Sequence, residues 1–70
     1  MATRVNLHIL EIKEKAILCD VRVESVVYRE DRETTELLIE KESFPEGAKF
    51  RVGDIWKAYF TDKLHVIRPI

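Results

Sequence analysis

Ile17, Cys19, Val21 and Val23 alternate with Leu18, Asp20, Arg22 and Glu24. A period of two sends successive side chains to opposite faces of a strand. This stretch therefore reads as a half-buried strand with an apolar odd face and a mostly charged even face. Val5, Leu7 and Ile9 make a second apolar odd face, but Leu10 and Ile12 continue it on even numbers. Such a phase slip predicts a bulge, or a strand buried on both sides. Thr35, Leu37 and Ile39 alternate with Glu36, Leu38 and Glu40 in a strand expected over about 34–41. Residues 55–61 and 64–67 read as a last hairpin. No segment carries a convincing helix, since the charged stretch 11–15 is too short to hold one.

The connections carry turn chemistry. Residues 11–15 read as a tight hairpin turn. Arg29, Glu30, Asp31, Arg32 and Glu33 are five charges in a row, expected at a solvated hairpin tip. Phe44-Pro45-Glu46-Gly47 suits a type I turn with proline second and glycine fourth. In Arg51-Val52-Gly53-Asp54, Gly53 supplies a positive φ before a strand begins. Asp62-Lys63 is a poor two-residue turn. Five useful strands that must hide their edges point to an all-β fold: a five-stranded small antiparallel barrel, OB-like or SH3-like.

Seventy residues allow one domain, 1–70. A chain this short buries only about 60% of its unfolded surface. Cys19 stands alone, so no disulfide compensates. Association with further copies is the expected remedy, and a homo-oligomer is the expected state. Leu10 and Ile12 on the second face of the first strand, and Val26, Val27 and Tyr28 further on, offer surface for it. The chain is 46% hydrophobic with a net charge of −1. That excludes disorder, a generally basic nucleic-acid coat and a polybasic membrane anchor. No apolar run approaches the ~20 residues of a membrane-spanning helix. Met1-Ala2-Thr3-Arg4 leads straight into mixed sequence, so the expected compartment is the cytoplasm.

Catalytic chemistry finds little support. Glu30, Asp31, Glu33 and Glu36 crowd one stretch, but at a tip expected to be solvated, where neither acid nor base is tuned. His8 and His65 have no second ligand at metal-binding spacing. Cys19 lies inside the apolar stripe as a structural thiol. No phosphate loop and no nucleophile motif is present. The chain reads as a non-catalytic binding module, with no cofactor, metal or membrane expected and a protein partner allowed for.

Aromatics and cations gather late. Four of the six aromatics are Phe50, Trp56, Tyr59 and Phe60, with Lys49, Arg51 and Lys57 among them. Residues 29–48 carry three basic and seven acidic side chains; residues 49–70 carry five and two. Aromatics beside cations are what a single-stranded nucleic-acid platform needs, because bases stack while phosphates pair. Lys49, Phe50, Arg51, Lys57 and Tyr59 are its candidates. The structural reading beside it makes Trp56, Ala58 and Phe60 one core face, with Lys57 and Tyr59 outside.

Gly53-Asp54-Ile55-Trp56-Lys57-Ala58-Tyr59-Phe60, followed by Lys63-Leu64-His65-Val66-Ile67, resembles the last hairpin of TOBE domains, the small OB-like barrels at the C-termini of importer ATPases. The resemblance covers about fifteen residues. It implies a small-oxyanion site for molybdate or tungstate, with Thr61, Lys63 and Lys57 as donors and Ser43 as a further one. The molybdate type has Lys-Ala-Ser near the end of that hairpin; Thr61, Asp62 and Lys63 stand there in this chain, with an acidic residue where the anion would approach.

Overall fold

The computed structural model describes residues 2–23 and 35–70. The expected charged tip at 29–33, with Glu30, Asp31 and Glu33, and the apolar Val26, Val27 and Tyr28 lie outside the described residues.

The described chain forms β1 (Thr3–Ile12), β2 (Ala16–Val23), β3 (Thr35–Glu40), a short 3₁₀ turn (Lys41–Ser43), β4 (Ile55–Phe60) and β5 (Leu64–Pro69). All neighbours pair antiparallel in one sheet of order β3-β2-β1-β4-β5. Three successive strands lie side by side, and β4 returns through a long connection to lie beside β1. That arrangement is a Greek key. β5 is then added as a hairpin partner of β4. The all-β, five-stranded antiparallel reading holds. Among the described residues the sheet is open, with β3 and β5 as its two edges. No described helix is long and apolar enough to cross a membrane.

One face of the sheet is the core. Leu7 stands between Val21 on β2 and Trp56 on β4, and Val5 between Val23 and Ala58. Ile9 faces Cys19, and Ile17 faces Ile39. Val5, Leu7, Ile9, Ile17 and Cys19 are almost completely buried. The connection from β3 to β4 folds over this face as a lid. The Phe44 ring meets Trp56 edge-on at 5.2 Å and Phe50 at 4.9 Å. Burial pushes the Cys19 thiol up to about 11, so it is an inert part of the core.

The phase slip between Ile9 and Leu10 is a bulge: Ile9 pairs with Cys19, but Glu11 pairs with Leu18. Two backbone bonds fix it there. Ile9 N–H donates to Asp54 O, and Gly53 N–H donates to Ile9 O, both at 2.9 Å. Beyond this point β1 has only β2 beside it, and Leu10 and Ile12 are exposed.

Two turns differ from expectation. Ala48 N–H donates to Pro45 O, so Pro45 is first and Gly47 third in the turn. Gly47 has φ +78°, which the third position of a type II turn demands. The 51–54 turn has the same form and is as expected, with Asp54 N–H bonded to Arg51 O and Gly53 at φ +93°. The last hairpin closes over three residues, because Phe60 pairs directly with Leu64.

The even face of β2 is not uniformly solvated. Asp20 is only 3% exposed. It lies on an inner strand, flanked by His8 on β1 and Glu36 on β3. Arg22 Nε donates to its Oδ2 at 2.9 Å, while Oδ1 has no partner. Arg22→Met leaves this buried carboxylate uncompensated. The expected loss is about 1.5–3 kcal/mol, read as a lowered denaturant midpoint. The Asp20→Asn/Arg22→Met double variant should lose less than the sum of its parts.

His8 carries a pH prediction. Burial lowers its pKa, Arg22 lowers it further, and Asp20 opposes both. The unfolded chain therefore holds the His8 proton more tightly than the folded one. Its contribution to stability falls as pH drops below about 6.5, and levels off once the folded imidazole also protonates. Melting temperatures measured from pH 7.5 to 5 should fall less steeply in His8→Gln.

Candidate anion-binding hollow

The face opposite the core carries the unusual charge arrangement. On its β1-β4-β5 side, Arg4 stands opposite Tyr59, Asn6 opposite Lys57, Lys57 opposite Arg68, and Tyr59 opposite His65. On this side lies an open hollow of about 430 Å³, lined by Arg4, Lys57, Arg68, Tyr59 and Ile67 with two alanines. Among the described residues, three cations line it and no carboxylate does. None of the three has an ion-pair partner among the described residues. Like charges directly opposite across a ladder destabilise a sheet, and Lys57 against Arg68 is such a pair.

A bulge sets that pair. Ala58 faces Val66, yet Lys57 faces Arg68, so Ile67 is the extra residue. Without the bulge, simple alternation would set Ile67 opposite Lys57.

At the hairpin end of the hollow, Tyr59 and His65 stack with centroids 4.6 Å apart and planes 15° from parallel. The imidazole is held from the turn. Thr61 Oγ1 lies 2.8 Å from Asp62 Oδ1 and 3.0 Å from His65 Nε2. A hydroxyl has one proton, and the carboxylate takes it. His65 Nε2 must therefore carry the hydrogen and donate to Thr61. The Thr61 hydroxyl lowers the Asp62 pKa, helped by backbone N–H groups and the nearby imidazole.

The sequence candidates divide among three places. Lys57 and Tyr59 are together in the hollow. Lys49 and Arg51 are exposed on the β3–β4 connection and do not line it. Phe50 is half-buried against Phe44 and Trp56 and belongs to the lid. Thr61 is bonded within its own turn, while Lys63 and Ser43 line a separate slot beside β3. Arg4 and Arg68 complete the hollow and were not singled out by sequence, while His65, weighed there only as a metal ligand, stacks on Tyr59 at its end. Among the described residues, no group of three or more His, Cys, Asp and Glu could hold a metal. No protein-family model, curated protein or solved structure matches the chain.

Proposed function

We propose that this chain is a non-catalytic binding module, a partly open Greek-key barrel of the OB type, whose β1-β4-β5 outer face takes single-stranded nucleic acid. The Lys57–Arg68 pair carries the reading. Two cations held opposite each other, with Arg4 beside them and no acid among the described residues that line the hollow, cost stability until an anion arrives. A phosphodiester supplies that anion. The Tyr59–His65 stack beside it offers the aromatic surface that an unpaired base uses. The chain as a whole carries a net charge of −1, so the proposed footprint rests on the local grouping of Arg4, Lys57 and Arg68 rather than on overall charge. The small-oxyanion reading has less support, because its donors are spread between the hollow and the slot.

A second reading, self-association, rests on Leu10 and Ile12. They stand exposed past the β1 bulge on the strand expected to carry a spare apolar face. Light scattering at tens of micromolar tests it, and a strictly monomeric mass removes it. For the main reading, fluorescence anisotropy with a labelled single-stranded oligonucleotide at low salt should show saturable binding that the duplex of the same sequence does not match. Absence of binding to any single strand removes it.

A further inference from the structure

We propose that the free edge of β3 takes an extended segment of a partner protein as a sixth strand, with apolar side chains alternating with basic ones. This surface is separate from the cationic hollow. Among the described residues β3 pairs with β2 alone, so its other edge leaves a row of backbone N–H and C=O groups open for pairing. A slot of about 420 Å³ runs beside that edge. Leu37 and Leu38 of β3 line it together with Phe60 and Leu64, and Glu40 and Lys63 are its charged lining residues. Leu38 is 60% exposed and Leu37 38%, although Ile39 next to them is buried. Strand addition to a sheet edge uses main-chain bonds for affinity and alternate side-chain seats for specificity, and both are present here.

Charge selects the occupant. Glu36 and Glu40 flank Leu38 on the outer side of the strand, and Glu42 follows. None of the three has an ion-pair partner among the described residues. A hydrogen bond from one carboxyl to the other and the Glu42 charge both raise the Glu40 pKa, as expected where acids crowd without a cation. A second copy suits the edge poorly. Its β3, centred on Leu38, would set Glu36 against Glu40 at both ends of the pairing. Its β5 carries Pro69, which has no N–H, and the bulge at Ile67. A foreign strand can instead seat apolar residues against Leu37, Phe60 and Leu64, and basic residues beside Glu36 and Glu40.

The test uses the full chain and three capped nine-residue peptides: alternating Lys and Val, alternating Glu and Val, and the Lys-Val peptide with alternate valines replaced by proline. The Lys-Val peptide should bind and slow exchange of the β3 amides that face away from β2 about tenfold, while the other two leave them unchanged. Glu36→Lys with Glu40→Lys, both exposed, should transfer the preference to the Glu-Val peptide. Lys57→Ala should leave peptide binding intact, which separates this surface from the nucleic-acid reading. Four results would each overturn the proposal. They are no peptide binding, equal binding of the proline peptide, open-edge β3 amides already protected in the free monomer, and a doubled mass abolished by Leu38→Glu, which would make a second copy the occupant.

Discussion

Leu7→Ala is expected to lower stability by about 2–5 kcal/mol, a loss comparable to the whole stability of the domain. Leu7 has essentially no exposed surface and sits on the central strand. Val21 meets it from β2 and Trp56 from β4, and the Phe44 ring stands edge-on to that tryptophan. Both neighbouring strands are tied by backbone ladders, so the sheet cannot collapse into the vacated volume. A single core in a chain this small supplies only about 3–5 kcal/mol net. Loss of a folded baseline in urea at 25 °C is therefore the expected result. Leu38→Ala, an equal truncation at an exposed site, should change the midpoint little.

The second large effect separates binding from folding. Tyr59→Ala should cost about 1–3 kcal/mol of single-strand affinity, or roughly 5- to 150-fold. Lys57→Ala should act in two directions. Affinity for every single strand should fall, whatever its sequence. The free protein should become more stable by about 0.2–1 kcal/mol, because the repulsion across the β4–β5 ladder is gone. That gain corresponds to a melting temperature higher by about 1–8 °C. A residue that only maintained the fold would not raise stability when truncated. Loss of stability in Lys57→Ala would mean that the Lys57–Arg68 pair is not strained and that the hollow has a different purpose.

Much of the sheet was legible because a half-buried strand writes its two faces into every second residue. Ile17, Cys19 and Val21 are buried together, as are Trp56 and Ala58. The slip at Ile9 and Leu10 marked a real bulge. The residues that alternation misplaced are those governed by long-range pairing. Asp20 reads as a surface acid, yet the strands on either side of β2 bury it. Arg4 gives no local sign of its role, since only the pairing of β1 with β4 brings it opposite Tyr59. Arg68 belongs by alternation to the inner face, and the Ile67 bulge brings it opposite Lys57 instead. Phe50 shared the aromatic cluster with Tyr59, but the β3–β4 connection carries it into the lid. Which aromatics serve the core and which serve the outer face depends on register, and register is set by partners far away in sequence.

The central claim is that Arg4, Lys57 and Arg68 act as one phosphate-binding group. Its most direct test is the salt dependence of single-strand binding, measured for the native chain and for the Lys57→Ala/Arg68→Ala variant. Three phosphate contacts predict that log affinity falls against log salt with a slope of about −2. The variant, left with Arg4 alone, should show a slope of about −0.7 and remain folded. A native slope near zero, or one that the double substitution leaves unchanged, would contradict the account.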